Sequence, residues 1–510
     1  MTTAETPARA GRREWIGLAV LALPCLLYSM DLTVLHLAVP KLTADLRPSS
    51  AELLWIIDIY GFLVAGSLIT MGTLGDRIGR RRLLLVGAAA FGVASIAAAF
   101  STSARMLIAT RALLGVAGAT IAPSTLSLIR NMFLDPRQRT TAIGVWITSF
   151  SVGGAIGPLI GGVLLEAFWW GSVFLTAVPV MILLLIVGPR LLPEYRDAAA
   201  GRPDPISALL SLVAVLAAIF GLKRIAQDGL GVVPVLCIGA GAAVGVTFVR
   251  RQLRLRDPLI DLRLFRAPAF TAALATYGLS ILFSFGGFLF LPQYLQLVLG
   301  LSPFRGGLWT LPWALAFVVG STLTPLLVRR VRPAFVMAGG LVLAAAGFAL
   351  FTRIDASTGF AMFAGGSTMF ALGLAPVFTL TTDLIVGSAP PERAGAASAI
   401  SETSAELGGA LGIAIFGSIG VAVYRRMIGD ALPASVPAAA GEAARATLGG
   451  AAAVASQLPT ALGAELTRGA RTAFIAGLQL CAAISALGSL ALAVLAGVAL
   501  RRPPSSAPHA

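Results

Sequence analysis

The sequence has little charge, almost no histidine and few cysteines. Charged residues make up 12% of its 510 residues, whereas about 25% is usual for a soluble domain. With His36 and His509 as its only histidines, a zinc site or a histidine-based catalytic site is hard to build. The three cysteines lie inside apolar runs without paired spacing. We therefore expect no disulfide, no metal site and no bound cofactor.

Long apolar runs make up most of the sequence. The mean hydropathy is +0.88, and a helix of about 20 apolar residues crosses a bilayer. Fourteen such runs follow one another, near 15–40, 53–74, 83–101, 106–130, 141–165, 172–192, 206–222, 231–250, 269–298, 306–328, 334–352, 358–386, 394–424 and 472–500. The sequence therefore predicts an all-α polytopic membrane protein with 14 transmembrane helices.

The spacing of these runs predicts a 6+2+6 arrangement. The two runs at 206–250 lie between a proline-containing loop and a basic loop, so we interpret them as an insertion. The predicted parts are a cytoplasmic N-terminus (1–14), a six-helix bundle (15–192), two inserted helices with linkers (193–268), a second six-helix bundle (269–500) that includes a long extracytoplasmic loop (425–471), and a cytoplasmic tail (501–510). That loop holds either short amphipathic helices or mobile chain.

The net charge of +15 follows the topology of a membrane protein rather than the pattern of a nucleic-acid-binding surface. Of the 38 Lys and Arg residues, 25 fall in the N-terminal segment, the tail and the loops on their side, and 12 fall on the other side. This bias predicts that both termini are cytoplasmic. We expect a multi-pass monomer in the inner (cytoplasmic) membrane, with the lipid bilayer as its surroundings and no nucleic-acid partner.

Two carboxylates stand inside the thirteenth run. Glu402 and Glu406 are four residues apart, so they share one helix face. A charge at this depth costs on the order of several kcal/mol, and such residues usually face a cavity and carry a function. We therefore expect these two residues to handle protons or a cationic substrate.

The segment that carries them has a counterpart in the first half. A shift of 255 residues lays 408–412 on 153–157. Repeated small residues in both halves predict two related bundles around a central site. Glu402 and Glu406 then fall opposite Ile147 and Ser151, so only the second half supplies acids at these positions.

Asp31 and Arg111 are expected to lie at a similar depth, because the first and fourth runs cross in opposite directions and helices rise about 1.5 Å per residue. A buried carboxylate beside an arginine is the expected way to tolerate both charges, and a purely structural ion pair stays open as an alternative. Asp58 lies nearer the outer mouth, where it is either functional or simply hydrated.

Three sequence motifs carry a resemblance to a known family. The loop after the second run, 72–82, has spaced glycines with an acid and several arginines; its main residues are Gly72, Asp76, Arg77, Gly79 and Arg80. The fourth run contains 107–119 with Arg111, and the fifth contains the small-residue motif Gly153, Gly157, Pro158, Gly161 and Gly162. The first motif resembles the loop signature of the major facilitator superfamily, and the other two resemble its fourth-helix and antiporter fifth-helix patterns.

The whole chain resembles the fourteen-helix drug:proton antiporters of that superfamily. It looks most like the quaternary-ammonium and methyl-viologen exporters, with QacA, SmvA and LfrA as type members. The resemblance implies a major facilitator fold. It also implies that the acids that handle protons and cations are Asp31, Asp58, Glu402 and Glu406. Arg111 would then be a coupling arginine, and the 72–82 loop a conformational gate. Phe317 departs from the family, because the branch that exports dications looks to have an acid there. This favours monovalent cations.

Aromatic residues are candidates for the lining of a cation-binding cavity, because aromatic faces attract quaternary ammonium groups. The candidates are Trp55, Tyr60, Trp146, Phe285, Phe288, Trp309, Trp313 and Phe317. Ordinary packing or contact with lipid explains any single one of them equally well.

The expected function is proton-coupled multidrug efflux by alternating access. The expected substrates are lipophilic, mostly monovalent cations: quaternary ammonium biocides, ethidium- and acriflavine-like dyes, and fluoroquinolones. An exporter of an endogenous lipophilic metabolite or lipid, a proton-coupled importer and a membrane-embedded enzyme are the alternatives. We find no nucleophile–base pair and no phosphate-binding loop, which argues against the enzyme and leaves an ion gradient as the energy source.

Overall fold

The computed structural model describes residues 9–48, 50–196, 204–255, 258–301, 303–355, 359–431, 441–442, 444–445 and 447–500. The first eight residues, the tail 501–510 and residues 432–440 of the predicted long loop lie outside this part, as do the side chains of Pro158 and Phe288.

The first half of the chain forms eight helices. They are α1 (Arg12–Leu46), α2 (Ser50–Ile78), α3 (Arg80–Ala99), α4 (Ala104–Gly118), α5 (Ile121–Met132), α6 (Pro136–Ala167), α7 (Ser172–Leu175) and α8 (Ala177–Leu191). Helices α4 and α5 together make one crossing, Ala104–Met132, and α7 and α8 make another, Ser172–Leu191.

In the described part of the remainder, ten helices have defined bounds. They are α9 (Pro205–Asp228), α10 (Val232–Gln252), α11 (Pro268–Phe288), α12 (Leu291–Gln293), α13 (Pro303–Leu327), α14 (Pro333–Phe351), α15 (Gly359–Gly387), α16 (Ala394–Ala431), α17 (Leu448–Ala455) and α18 (Thr460–Ala499). Short 3-10 segments at Leu262–Arg266 and Pro391–Arg393 precede α11 and α16, and a π-helical turn covers Tyr294–Val298.

Within the described residues, fourteen helical segments are long and apolar enough to cross a membrane, which confirms the predicted number. The last two differ from the prediction in length. Helix α16 continues to Ala431 and α18 starts at Thr460, so much of the predicted loop 425–471 is helix. Arginine is a good helix former, and hydropathy alone ends a helix too early at such residues. Between them, α17 packs on α18 through its buried residues Leu448 and Ala451.

The ends of the helices define two faces of the bundle. We call the end at which α1, α3, α6 and α9 begin the basic face, because it carries Arg13, Arg80, Arg139 and Arg251. The Arg13 guanidinium donates to the carbonyl oxygen of Arg190 at 2.7 Å, which joins the start of α1 to the end of α8. Arg251 pairs with Asp204 at 2.9 Å, which joins the end of α10 to the start of α9.

Helix packing places α16 between the halves. Helix α1 packs along α6 in the first half, and α11 packs along α16 and α18 in the second. Helix α16 also contacts α2 and α5 of the first half, while α6 contacts α13 and α15 of the second. Helix α9 lies against α2 and α16 as well as α10. The inserted pair therefore covers the line where α2 meets α16, and the exact boundaries of the two bundles stay a prediction.

Candidate functional site

The predicted acids of α16 lie where the two halves meet. Glu402 and Glu406 are each partly buried. The Tyr28 hydroxyl of α1 donates to Glu406 Oε1 at 3.5 Å, a contact from one half to the other. Glu402 Oε1 is buried and has no hydrogen-bond partner among the described residues. A buried carboxylate oxygen without a partner is costly, so this helix holds binding capacity that its own fold does not use.

Small residues let α16 come this close to its neighbours. An added Cβ at Gly408 would collide with the carbonyl oxygen of Gly278 on α11, and one at Gly412 would lie 2.6 Å from that of Leu282. On the other side, a Cβ at Gly72 of α2 would lie 2.6 Å from the carbonyl oxygen of Gly395. Close approach of helix backbones through glycine is the usual packing mode in membranes.

Asp31 and Arg111 form an ion pair of 2.5 Å, as their expected depths suggested. Arg111 is 1% exposed, and its Nε donates to the carbonyl oxygen of Ile56 at 3.2 Å. Its guanidinium also lies 4.7 Å from the centre of the Tyr60 ring. The contacts fit both a coupling role and a structural one, so the role of the pair stays a prediction.

Two tyrosines join this ion pair to the acids of α16. The ring of Tyr60 lies under Arg111 and is 6.1 Å from the ring of Tyr28, and the Tyr28 hydroxyl reaches Glu406. A continuous line of side chains therefore runs from Asp31 to Glu406. Tyr60 is a predicted site residue, whereas Tyr28 is not, because its partner is 378 residues away in the sequence.

Asp58 pairs with Lys223, whose ammonium lies 2.5 Å from Asp58 Oδ1. The predicted run 206–222 ends just before Lys223 and so places it among the basic residues of the outer loops, but in the structure Lys223 lies inside α9. The position of this lysine at the end of an apolar run could have predicted the pair, because a cation inside a membrane helix normally has an acidic partner.

The predicted 72–82 loop is helical except at Gly79, and it joins the first half to the start of α16. Asp76 pairs with Arg80 at 2.8 Å. Asp76 also accepts hydrogen bonds from the amides of Gly395 at 3.2 Å and Ala396 at 3.0 Å. These belong to the unpaired amides of a helix N-terminus, where a negative charge is favourable. Gly79 makes the turn possible with φ of 112°.

Further hydrogen bonds close the basic face between the halves. Arg80 Nη2 donates to the carbonyl oxygens of Pro391 at 2.7 Å and Glu392 at 2.9 Å. Arg139 of α6 pairs with Asp383 of α15 at 2.7 Å, and the Thr140 hydroxyl donates to the same carboxylate at 2.6 Å. The structure therefore has the two halves in contact at this face. Arg77 lies in the same loop, at the end of α2.

The predicted antiporter motif is the surface of α6 that packs on α1. A Cβ at Gly153 would collide with the carbonyl oxygen of Leu26, and one at Gly161 would lie 2.9 Å from the side chain of Val34. Gly157 is buried. Gly162 has open space around it, so packing in this structure does not require glycine there.

The candidate aromatic residues do not form one lining. Trp55 stacks on Phe220 of α9. Trp146 is 2% exposed, and its indole nitrogen donates to the Thr125 hydroxyl at 2.9 Å, so it is a packing residue of the first half. The others are distributed as follows: Trp309 contacts Phe360, Trp313 contacts Phe317, Phe317 contacts Phe378, and Phe285 lies beside Gly409. Aromatic residues serve packing as well as binding, so a shared aromatic lining stays a prediction.

An apolar cavity of about 380 Å³ lies between α2, α11 and α16. Ile69, Leu274 and Gly278 line it from α2 and α11, and Ile400, Thr403 and Leu407 line it from α16. These three residues recur every three to four positions, so the cavity lies on the face of α16 opposite the one that carries Glu402 and Glu406.

The fold is that of a multi-pass membrane protein with acidic side chains where its two halves meet. The family description "Major Facilitator Superfamily" matches residues 21–413, and the chain belongs to that superfamily. It is 44% identical over 501 residues to the multidrug efflux pump LfrA of Mycolicibacterium smegmatis, covering 98% of each chain. It is 38% identical over 491 residues to the methyl viologen resistance protein SmvA of Salmonella typhimurium, covering 95% of this chain and 98% of SmvA.

A solved structure supports the same fold. The human organic anion transporter MFSD10 (TETRAN) superposes with a TM-score of 0.62 at 15% identity, covering 95% of this chain and 99% of that one. The predicted fourteen-helix major facilitator fold and the resemblance to multidrug exporters are thereby confirmed.

Proposed function

We propose that this chain is a proton-coupled multidrug efflux antiporter that exports lipophilic, mostly monovalent cations by alternating access. The observation that carries the proposal is the pair of carboxylates on α16, placed between the halves with Glu402 Oε1 buried and unbonded. A cation or a proton satisfies such a group. Quaternary ammonium biocides, ethidium- and acriflavine-like dyes and fluoroquinolones are the proposed substrates, in keeping with a relative described as a multidrug efflux pump.

Proton coupling is assigned to Glu406 in the first place. Its contact with Tyr28 connects it through Tyr60 to Arg111 and Asp31. Protonation of Glu406 would weaken its hold on a bound cation, and the same line of side chains would carry the change to the ion pair. Asp31 and Arg111 are proposed to couple it to the outward gate, and the contacts of Asp76 and Arg80 would open and close the basic face.

The proposed setting is the inner (cytoplasmic) membrane, with the basic face and both termini in the cytoplasm and a monomer as the working unit. The arginines on the basic face support this orientation, because positive charge is retained on the cytoplasmic side. The proton gradient is the proposed energy source.

Ethidium movement in proteoliposomes of the purified protein tests the proposal. Under an imposed proton gradient the wild type should move ethidium, and Glu406→Gln should reduce movement to the level of protein-free liposomes while remaining folded. Gradient-independent movement, or undiminished movement in the variant, would contradict it. Phe317 stands where dication exporters look to have an acid, so a bisquaternary dye should be moved more slowly than a monoquaternary one; equal rates would refute that preference.

A second candidate is the export of an endogenous lipophilic metabolite or lipid. The apolar cavity between α2, α11 and α16 favours it, because such a surface accepts an uncharged molecule as well as the body of a cation. If the wild type leaves ethidium unmoved, neutral and anionic lipophiles in the same liposomes are the next substrates to measure.

A further inference from the structure

A cluster of one acid, three aromatic rings and two cations, Lys223 and Arg224, lies away from the basic face, where α2 begins and α9 ends. The Arg224 guanidinium lies 5.6 Å from the centre of the Phe220 ring. Trp55 and Phe62 of α2 and Phe220 of α9 have ring centres 6.2 to 6.5 Å apart, and Trp55 and Phe220 are stacked with an angle of 14° between their planes. Asp58 comes from the same part of α2, and Lys223 from the last turns of α9.

The Lys223 ammonium lies inside this cluster. Its Nζ is 2.5 Å from Asp58 Oδ1 and 4.5 Å from the centre of the Phe62 ring. A carboxylate with aromatic faces around a positive charge is the arrangement that binds lipophilic and quaternary ammonium cations. Here the protein supplies the positive charge from its own chain.

We propose that Lys223 is a tethered cation that occupies a second substrate site, formed by Asp58 with the rings of Trp55, Phe62 and Phe220. This inference rests on the proposed export of cations and adds to it a site on the release side of the protein. A cation that leaves Glu406 displaces the ammonium and pairs with Asp58. The return of Lys223 to Asp58 then expels the cation.

The accessibility of the cluster makes displacement feasible. The side chains of Lys223 and Asp58 are 29% and 22% exposed, and partly exposed ion pairs are held only weakly. Trp55 is 43% exposed, so a flat aromatic cation can cover a ring surface that a compact ammonium leaves free. The flexible lysine stem allows the ammonium to swing away without movement of α9.

The proposal gives the inserted helices a task in transport. Helix α9 lies against both α2 and α16, and Lys223 is the residue through which it pairs with the acid of α2. A transporter without this lysine would release cations more slowly, because nothing would compete with them for Asp58.

Equilibrium binding of ethidium to the purified full-length protein tests the site without reliance on transport. Lys223→Met removes the charge and keeps an apolar stem, so ethidium should bind about tenfold more tightly, the effect of one cation–aromatic and carboxylate contact regained. Arg105→Gln is the matched control. It removes one arginine that pairs with Glu52 near the same end of the bundle and is 92% exposed, so affinity should change less than about twofold. Phenanthridine, the uncharged ring system of ethidium, should bind all three proteins alike.

The gain should depend on Asp58. In the double variant Asp58→Asn with Lys223→Met, ethidium affinity should fall back to the wild-type value or below it. Unchanged affinity in Lys223→Met, an equal gain in Arg105→Gln, or a gain that persists without Asp58 would each overturn the proposal. If Lys223→Met does not fold, Lys223→Gln provides the same comparison.

The binding experiment on Lys223 and the transport experiment on the proposed function can fail independently of each other. Gradient-driven ethidium movement by the wild type with no affinity gain in Lys223→Met would refute the tethered cation alone. A gain in affinity without any gradient-driven movement would refute the antiport function and leave the site standing.

Discussion

Helices α6 and α16 pack against the first helix of their own half in the same way, yet they carry different chemistry. Gly153 of α6 meets the backbone of α1 at Leu26, and Gly408 of α16 meets the backbone of α11 at Gly278. The repeat places Ile147 and Ser151 where α16 has Glu402 and Glu406. Related packing in the two halves therefore surrounds an apolar position in one and acids in the other.

The halves also treat their acids differently. In the first half, Asp31 is neutralised by Arg111 at 2.5 Å. In the second half, Glu406 has the Tyr28 hydroxyl at 3.5 Å and Glu402 Oε1 has no partner among the described residues. A neutralised acid contributes to the fold, whereas an acid without a close cation is available to a ligand. The comparison shows that the partners of an intramembrane carboxylate indicate whether it stabilises the fold or is available to a ligand.

The largest expected effect separates these two kinds of acid. Asp31→Asn should lower the free energy of unfolding by about 3 kcal/mol, because Arg111 would stay buried without its counter-charge. Glu406→Gln should leave that free energy unchanged or raise it, because an unpaired charge is costly to bury. Unfolding by SDS in mixed micelles measures both. A similar loss in the two variants would remove the contrast between the halves.

The next effect tests the shared packing. Gly153→Ala and Gly408→Ala should each lower the free energy of unfolding by about 1 to 3 kcal/mol, because the new methyl group meets a backbone carbonyl. Gly162→Ala, where the space is open, is the control and should change it by less than about 0.5 kcal/mol. Loss in only one of the two glycine variants would show that the halves do not pack alike.

A smaller effect tests the difference in chemistry. Glu402→Gln should slow gradient-driven ethidium movement by about tenfold, equivalent to ~1.4 kcal/mol in the transport barrier. Ile147→Val alters the counterpart of Glu402 in the first half and should leave the rate within about twofold. If both variants transport at the wild-type rate, the acids of α16 are not what distinguishes the halves.

The smallest expected effect concerns the capping residue at the start of α6. Asp135 accepts hydrogen bonds from the amides of Arg137 and Gln138 at the start of α6, and these bonds lower the pKa of Asp135 from its ordinary value of 3.8. Because the folded state lowers this pKa, the stabilisation is present above pH 3.8 and is lost as the pH falls below it. Asp135→Ala should be slightly less stable than the wild type at pH 7 and equal to it at low pH, as measured by thermal unfolding in detergent. Asp135→Asn keeps a capping side chain and should differ less.

Sequence reasoning predicted the helices, the motifs and the Asp31–Arg111 pair, but not the other partners between helices. Fourteen crossings follow from apolar length, and the depths of Asp31 and Arg111 follow from counting residues along two helices. The Lys223–Asp58 pair joins residues 165 apart, and the bonds from Asp76 to α16 join residues about 320 apart. No local pattern encodes such pairings, because they depend on how helices pack. The aromatic lining stays a prediction, since the sequence pattern of an aromatic side chain is the same in a cavity and in a packed core.

The bonds from Asp76 to α16 have a consequence for amide exchange. Asp135 caps α6 from within its own half, so the amides of Arg137 and Gln138 remain bonded whatever the halves do. The amides of Gly395 and Ala396 depend on a carboxylate from the opposite half. Each opening of the basic face in the proposed cycle would leave these two amides to solvent, and each closing would protect them again. The deuterium uptake of these two amides would therefore increase with the fraction of time that this face is open. Amide exchange in the first turn of α16 would then report how often the face opens during the transport cycle.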